Sequence, residues 1–524
     1  MRKAPTSTPI TRRRLLGTAT AAAAGATLAG SLLDPTAARA ASTAKSTTAK
    51  DATAKDAAAK DAAAPRIVIV GAGLAGLRAA HSLWNQGTPL ASTVYEADTS
   101  HLGGRCWSLR GFFAGGQVSE HGGSFISSTD TAVLSLAKSL GLQRETANGG
   151  ALASGDYTAW INNCSYSGDQ QQDDWTADAY SAFSASYAAM GSPRYNSFTP
   201  EAQRLDQMSC LEYLDQIGLS SGSQLDQLIQ SIQLQSGGEP AESSAVGMIG
   251  FLGGSSVFDG GTGFDEKYHL VGGNDQLVSG MVAQLPAGTV QQGYQLIAVQ
   301  QNSDSSYTCT FDQNGSTVSV GADHLVLALP FSTLRNVDLS KANLSPLKTQ
   351  AIQQQGMGQN AKLVTQLTAK TWPALGFNGI TNTGPQGYQT AWDGSVQLGA
   401  HGSPALLVNF PGGDTARTTL TGAAHGPAPA ADVTWFLSQI EHLYPGTTAA
   451  YNGLAYEDHW SLDPWHLGAY HYYKIGQYTT IAGYEAVQEG RIHFAGEHTD
   501  VDNMTLNAAV ASGERVAGEI NSQT

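Results

Sequence analysis

The chain has 524 residues, of which 41% are hydrophobic and 14% charged, and its formal net charge is −15 at pH 7. This length predicts two or three domains with enough apolar residues for large cores. The acidic balance disfavours nonspecific nucleic-acid binding and a polybasic membrane anchor, because both depend on attraction between Lys or Arg and phosphate. We therefore expect a globular protein that binds no nucleic acid and, in its mature form, no membrane.

Residues 1–40 have the layout of an export signal. Three arginines at 12–14 precede an apolar, Ala-rich run over 17–33, and Ala-Arg-Ala at 38–40 supplies a small-residue cleavage site. The adjacent arginines favour the twin-arginine signal peptide, with an uncleaved anchor as the alternative. Residues 41–64 are nearly all Ala, Thr, Lys and Asp, and they predict a linker. We expect the mature protein to be secreted.

A dinucleotide-binding unit starts directly after the linker. The β-branched run over 66–70 predicts a buried parallel strand, and a helical pattern over 77–86 follows it. Between them, Gly71 allows a tight turn and Gly73 lets a pyrophosphate approach the backbone. Gly76 lets the helix pack closely on the strand. The phosphates are then expected at the N-terminus of the helix.

The second strand of this unit strengthens the prediction. It covers residues 92–95 and ends next to Glu96, which lies 20 residues after Gly76. A carboxylate at this distance can accept the hydroxyl hydrogens of a ribose. The order of strand, glycines, helix and acid therefore predicts a bound dinucleotide.

Three further segments decide which dinucleotide is expected. They are HLGGR at 101–105, SEHGGSFI at 119–126 and RIHFAGEHT at 491–499, the last followed by a helical run over 506–520. These segments resemble the flavin-containing amine oxidase family, which includes monoamine, polyamine and L-amino-acid oxidases. The resemblance covers most of the chain after Pro65.

The resemblance implies that FAD is the cofactor. Arg105, which follows Gly104, is implied to pair with the pyrophosphate, because a guanidinium fork matches phosphate oxygens. Glu497, which follows Gly496, is implied to contact the ribityl or phosphate region. The strand that contains Leu296 resembles the one that frames the adenine, with Leu296 at the contact position.

The resemblance also implies the catalytic residues. Lys362 corresponds to the lysine that holds a water near flavin N5, where it assists flavin reoxidation or imine hydrolysis. Tyr470 matches one wall of the family's aromatic cage, and Trp465 belongs to the same substrate-pocket segment. Thr505 stands where the second wall is usually aromatic. The cage is therefore expected to be half built, or completed by residues from elsewhere.

The implied reaction is the oxidation of an amine. A hydride equivalent passes from the amine carbon to flavin N5, water hydrolyses the imine to an aldehyde and ammonia or an amine, and O2 is reduced to H2O2. An apolar pocket favours the reactive neutral amine, because burial lowers the pKa of an amine. Ala469 replaces the cysteine that binds flavin covalently in the monoamine oxidases, so FAD is expected to be noncovalent.

An L-amino-acid oxidase of the same fold is the main alternative. Such an enzyme needs a cation, usually arginine, for the substrate carboxylate. Residues 124–126 are Ser-Phe-Ile, without the arginine found there in many amino-acid oxidases. An amine is therefore favoured, although Arg335 or Arg417 could reach the site from elsewhere.

More distant functions are expected less. The GLSSG sequence at 218–222 formally matches the nucleophile turn of serine hydrolases, but it follows a helical pattern over 211–217 and is typical of a helix-ending loop. A nicotinamide dehydrogenase would not need the GGR element at 103–105 or the FAGEHT element at 494–499. A non-catalytic secreted flavoprotein is the remaining alternative.

The cysteines and the order of motifs complete the expectations. The four cysteines form no zinc-type cluster, so no metal is predicted; up to two disulfides are allowed, with the pairing left open. The predicted fold class is α/β (α+β), with a Rossmann-like FAD-binding domain and a substrate-binding domain of mixed sheet plus helices. Selectivity is expected in the helical insert over residues 129–268 and in residues 381–393, and a homodimer is left open. The predicted FAD-binding segments are 65–128, 269–336 and 451–524, and the substrate-binding segments are 129–268 and 337–450.

Overall fold

The structure is a computed structural model that describes residues 64–147, 155–254, 265–395 and 404–524. The predicted signal peptide at 1–40 lies outside the described residues, and so does the predicted linker except for Ala64. Within the described ranges, no helix combines the length and the apolar character that crossing a membrane requires.

The described residues confirm the predicted α/β (α+β) fold class. The strands are β1 Ile67–Val70, β2 Ser92–Glu96, β3 Ser108–Leu109, β4 Ser119–Glu120, β5 Arg144–Thr146, β6 Asp156–Ile161, β7 Cys164–Ser167, β8 Tyr268–Leu270, β9 Val290–Gln292, β10 Gln295–Gln301, β11 Tyr307–Gln313, β12 Ser316–Ala322, β13 His324–Leu327, β14 Asp338–Lys341, β15 Gly356–Met357, β16 Ala361–Leu367, β17 Phe377–Thr383, β18 Thr390–Asp393, β19 Ala405–Asn409, β20 His425–Pro427, β21 Tyr451–His459, β22 His471–Tyr472 and β23 Ile492–Phe494. The α-helices are α1 Leu74–Trp84, α2 Thr131–Ser139, α3 Gly168–Asp174, α4 Tyr180–Met190, α5 Pro200–Asp206, α6 Cys210–Gln216, α7 Gln224–Leu234, α8 Ala245–Gly254, α9 Gln276–Ala283, α10 Phe331–Leu334, α11 Pro346–Gln354, α12 Gly413–Thr419, α13 Ala430–Ile440, α14 Thr447–Ala450 and α15 Leu506–Asn521.

The first sheet is parallel and has the strand order β23-β13-β1-β2-β9. All four residues of β1 are buried, as a continuous β-branched run requires when helices cover both faces of a sheet. Helix α15 packs on α1, where a Cβ on Gly513 would collide with the backbone of Ala75. The carboxyl ends of parallel strands open at one edge of the sheet, which is where ligands bind in such folds.

The second sheet has eight strands in the order β20-β21-β16-β19-β18-β17-β6-β7. Its strands come mainly from the predicted substrate-binding segments. Strand β21, however, pairs antiparallel with β16. The 9 residues of this strand therefore belong to the second sheet, although residue 451 is the predicted start of the last FAD-binding segment.

Helix α2, the first helix of the insert, packs differently from what the predicted domain division implies. Val133 and Leu136 of helix α2 are buried in the same apolar core as Leu77 of α1 and Val510 of α15. Residues 131–139 therefore pack with the first sheet rather than with the predicted substrate-binding segments. The remaining boundaries stay predictions.

The cysteines and the GLSSG sequence have ordinary structural surroundings. None of the four cysteines, all within the described ranges, forms a disulfide; Cys164 is exposed, and Cys106, Cys210 and Cys309 are buried. Burial raises the pKa of the Cys309 thiol to about 12. Residues 218–222 lie in the turn between α6 and α7, as predicted for a helix-ending loop.

Candidate active site

One long cavity is lined by residues of both sheets. Gly71, Glu96 and Gly496 follow or end strands of the parallel sheet, whereas Lys362 and Trp392 belong to the eight-stranded sheet. Its empty space is about 1540 Å³, the open mouth included. The cavity therefore joins the glycine-rich turn of the parallel sheet to side chains of the eight-stranded sheet.

The glycine-rich turn after β1 gives one wall its shape. Gly71 has a φ of +101°, and a Cβ there would lie 2.7 Å from the carbonyl oxygen of Ala328. At Gly73 a Cβ would meet no atom within 4 Å, so this glycine keeps open the space that a phosphate needs. At Gly76 a Cβ would collide with the carbonyl oxygen of Gly71. The turn fits a pyrophosphate at the start of α1.

Glu96 lies beside this turn at the end of β2. Its carboxylate accepts the backbone N–H of Ala72 at 2.7 Å and that of Asp98 at 2.9 Å. Burial raises the pKa of Glu96, and these backbone hydrogen bonds oppose the rise. They also fix the direction of the carboxylate, which lines the cavity where the ribose is expected.

Arg105 and Glu497 form an ion pair in the cavity wall. Arg105 Nη1 lies 2.9 Å from Glu497 Oε1 and donates to the carbonyl oxygen of Ala469 at 2.5 Å. Glu497 Oε2 lies 2.8 Å from His471 Nδ1. Burial raises the pKa of Glu497, but Arg105 and His471 outweigh it and lower the pKa to about 2. The two residues, predicted to contact the cofactor separately, thus present one charged surface to it.

The other predicted cofactor residues divide into two groups. Gly104 and Gly496 line the cavity, and both have positive φ angles, +57° and +139°. Leu296 does not line it, and its side chain is buried in an apolar core. The predicted adenine contact through Leu296 stays a prediction.

Lys362 lies on β16 with only 4% of its surface exposed. Its Nζ donates to the carbonyl oxygens of Glu120 at 2.7 Å and Gly122 at 2.8 Å, and to Ser124 Oγ at 3.0 Å. Burial lowers the pKa of Lys362 to about 8, although Asp458 and Glu120 oppose this. The lysine therefore exchanges a proton near neutral pH, at the wall of the cavity.

The other predicted catalytic residues also line the cavity. The hydroxyl of Tyr470 donates to the carbonyl oxygen of Gln235, which holds the aromatic ring in place. The backbone N–H of Trp465 is bound by Asp463. Thr505 is the N-cap of α15, where its Oγ1 accepts the N–H of Asn507 at 3.2 Å. Thr505 thus has a helix-capping role and supplies no aromatic wall.

Three aromatic residues that were not predicted as site residues line the same cavity. Ring centroids are 5.8 Å apart between Phe125 and Trp392, and 5.6 Å apart between Trp392 and Phe410. Trp392 lies within residues 381–393, where selectivity was predicted. Phe410 follows β19 and has no motif that marks it in the sequence. Together they form an aromatic surface that Thr505 does not provide.

Comparisons with known proteins identify the family. The family model of flavin containing amine oxidoreductases matches residues 74–521. The chain belongs to this family. FAD as the cofactor and an oxidoreductase activity on amines, both predicted from the resemblance, are thereby confirmed.

Individual relatives cover different shares of the chain. Nicotine dehydrogenase of Pseudomonas putida is 25% identical over 464 residues, which are 87% of this chain and 88% of that protein. An L-amino-acid oxidase of Pseudechis australis is 27% identical over 261 residues, about half of either protein. The structure of cyclohexylamine oxidase from Brevibacterium oxydans IH-35A shares the fold, with a TM-score of 0.75 at 20% identity over 88% of this chain and 99% of that chain.

The two arginines considered for a substrate carboxylate lie elsewhere in this flavoenzyme. Arg335 donates to the carbonyl oxygens of Ile352 and Gln355. Arg417 is exposed and pairs with Asp414. Among the described residues that line the cavity, the one arginine is Arg105, and it is paired with Glu497.

A cluster of two histidines and one carboxylate, of which His121 lines the cavity, was missed in the sequence. His121 Nδ1 and His425 Nδ1 lie 2.6 and 2.7 Å from the same oxygen of Asp458. The three ligand-type atoms lie within 4.8 Å of one another, as those of a metal site would. Two ligands of one tetrahedral zinc lie roughly 3.3 Å apart. The shorter contacts here are hydrogen bonds.

Proposed function

We propose that this protein is a secreted FAD-dependent amine oxidase whose substrate carries an apolar or aromatic group. The observation that supports the proposal is the composition of the cavity wall, which holds Phe125, Trp392, Phe410 and Tyr470. Arg105, the only arginine among the described residues that line the cavity, is already paired with Glu497. Such a wall favours a neutral amine and, among the described residues, offers no unpaired arginine for an amino-acid carboxylate.

The chain's own residues orient the substrate and control its proton. Bound FAD supplies the acceptor for the hydride that leaves the carbon next to the amine nitrogen. The aromatic rings position that carbon and exclude water, which disfavours the charged ammonium. Lys362 has three N–H donors and uses all three. The hydrogen bond to Ser124 Oγ, at 3.0 Å, is the longest of the three. When Lys362 holds a water for flavin reoxidation or imine hydrolysis, that water replaces Ser124 Oγ as the acceptor.

The names of relatives support an amine over an amino acid. The relative named for nicotine, an amine, matches along most of both chains, whereas the L-amino-acid oxidase matches along about half. Dioxygen as the electron acceptor is part of the proposal. The word dehydrogenase in that relative's name makes another acceptor the second candidate.

We further propose that FAD is bound noncovalently. Ala469 offers no nucleophile, and the cysteine that lines the cavity, Cys106, donates its Sγ–H to the carbonyl oxygen of Asn274. Burial raises the pKa of Cys106, which keeps the thiol protonated. Acid denaturation followed by filtration should release all the yellow colour from the protein.

Export is proposed from the sequence of residues 1–40. Replacing the three arginines at 12–14 with lysines should retain the protein in the cytoplasm of an expressing bacterium. The unchanged chain should appear outside with a mature N-terminus at Ala41. Equal export of both proteins would contradict the twin-arginine assignment.

The central experiment measures anaerobic bleaching of the flavin and aerobic peroxide release with a panel of amines and amino acids. We expect bleaching with apolar amines, and bleaching confined to amino acids would contradict the proposal. Lys362→Met should retain FAD but lower reoxidation or turnover about 100-fold. Lys138→Met, at an exposed site on α2, is the control. Full activity in Lys362→Met would exclude Lys362 from the mechanism.

A further inference from the structure

The charge of Lys362 is balanced by groups beyond its hydrogen bonds. All three oxygens that accept from its Nζ are uncharged. Asp458 stands directly opposite Lys362 in the β16–β21 pair, so the two side chains share one face of the sheet. The carboxylate of Glu120 belongs to the residue whose carbonyl oxygen Lys362 binds. These two carboxylates are the charged groups that face the ammonium.

Each of these carboxylates is tied to a second one through a histidine. His425 lies with Nδ1 2.7 Å from Asp458 and Nε2 3.0 Å from Asp463. A neutral imidazole has one N–H, whereas the protonated form donates from both nitrogens. Burial lowers the pKa of His425, but its hydrogen bonds to Asp458 and Asp463 outweigh this and raise it to about 9. His425 is therefore an imidazolium at neutral pH.

The same arrangement recurs at Glu120. His269 lies with Nε2 2.8 Å from Glu120 and Nδ1 3.1 Å from Glu145. Burial again lowers the pKa, and the two carboxylates outweigh it and raise it to about 9. We name these groups the Asp458 arm (Asp458, His425, Asp463) and the Glu120 arm (Glu120, His269, Glu145).

We propose that the Asp458 arm and the Glu120 arm together set the proton affinity of Lys362, with His425 and His269 as positioning residues. In each arm the positive charge of the imidazolium competes with that of Lys362 for the carboxylate nearer to Lys362, which is Asp458 or Glu120. The second carboxylate of the arm, Asp463 or Glu145, in turn offsets the positive charge of the imidazolium. The other titratable groups packed on the Asp458 arm are His121 against Asp458, His466 against Asp463, and Tyr456 beside His121. Near the Glu120 arm, Arg110 and Cys106 lie within electrostatic range of Glu120. The proposal requires that FAD is bound, but it does not depend on which amine is the substrate.

The proposal predicts shifts of opposite sign within one arm. Asp458→Asn removes the negative charge opposite Lys362, so the lysine should lose its proton at lower pH. His425→Gln removes the competing positive charge, so the lysine should keep its proton to higher pH. If the arm had a purely structural role, the pH at which Lys362 loses its proton would shift in the same direction in both variants.

The test is a pH titration of the absorption spectrum of bound FAD, without substrate, in the purified holoenzyme. The change in absorbance with pH that disappears in Lys362→Met is the titration step of Lys362. We expect this step to move down by about one pH unit or more in Asp458→Asn, and up in His425→Gln and His269→Gln. The pH profile of reoxidation with a bleaching amine should shift in the same directions.

Glu457→Gln is the matched control, because Glu457 is the buried neighbour of Asp458 on β21 and contacts His459 instead. It should leave the step in place. If Asp458→Asn does not retain FAD, Asp463→Asn should give a smaller shift in the same direction. A step that persists in Lys362→Met, or shifts of one sign in both Asp458→Asn and His425→Gln, would overturn the proposal. Absence of bleaching by any amine would instead contradict the proposed function.

Discussion

The two ends of the cavity are built in different ways. The cofactor end, where we expect FAD, consists of short contiguous segments whose backbone conformation shapes the wall, such as Gly71–Gly76 and the residues around Gly104 and Gly496. The substrate end, where we propose that the amine binds, consists of side chains such as Phe125 and Trp392 that the folded sheet brings together from separate segments. A backbone-built site leaves a contiguous mark in the sequence, and a side-chain-built site does not.

Among the substitutions that test this difference, Gly73→Val should have the largest effect. The new side chain would enter the space where the glycine leaves no neighbour within 4 Å, so the fold has room for it but the phosphates do not. We expect FAD affinity to fall by about a thousandfold or more, which is roughly 4 kcal/mol. Titration of the apoprotein with FAD, followed by flavin fluorescence, measures this.

Gly87→Val is the matched control, because a Cβ there also meets no atom within 4 Å and Gly87 does not line the cavity. By contrast, Gly76→Ala should lower the melting temperature of the apoprotein itself, since its Cβ collides with Gly71. Normal FAD affinity in Gly73→Val would show that the phosphates lie elsewhere.

The ion pair of the cofactor end predicts a pH dependence of stability. The pKa of Glu497 is lowered from 4.5 to about 2. A lowered carboxyl pKa stabilises the folded state fully above the unfolded-state value, and this stabilisation is lost as the pH falls from about 4.5 towards 2. The shift corresponds to about 3 kcal/mol at neutral pH.

Glu497→Gln should therefore melt well below the unchanged protein at pH 7, and the gap should narrow as the pH falls to 3. Glu514→Gln serves as the control, because Glu514 pairs with Arg78 and its side chain is 39% exposed. A gap that does not change with pH would show that the charge of Glu497 contributes nothing to stability.

At the substrate end, Trp392→Leu tests whether the aromatic surface binds the amine. The leucine keeps the position apolar but removes the ring between Phe125 and Phe410. We expect kcat/KM for an apolar amine to fall about tenfold, or about 1.4 kcal/mol, with FAD affinity unchanged. Trp160→Leu, whose ring stacks on His442 outside the cavity lining, is the control. A loss of FAD in Trp392→Leu would remove the distinction between the two ends.

What the sequence predicted follows the same division. The glycine turn and Glu96 were predicted from their spacing, which a ligand of fixed shape determines. Arg105, Glu497, Lys362 and Tyr470 were predicted through the resemblance alone. Phe410 and the histidines of the two arms were missed, since His425 meets Asp458 only through the pairing of β20 with β21. The sheet that contains β21 could not be predicted, because both sheets use segments from the C-terminal third of the chain.

The smallest predicted effect concerns Thr505, which belongs to both ends. It lines the cavity and caps α15, the helix that packs on α1. Thr505→Ala should cost about 1 kcal/mol of stability through the lost cap, and Thr505→Ser should restore it. Melting curves measure this, and kcat/KM for the best amine should stay within about twofold in both variants, because the aromatic surface is elsewhere. A larger fall in kcat/KM in Thr505→Ala that Thr505→Ser reverses would instead place the hydroxyl in contact with the substrate, so that the second wall of the cage is polar rather than absent.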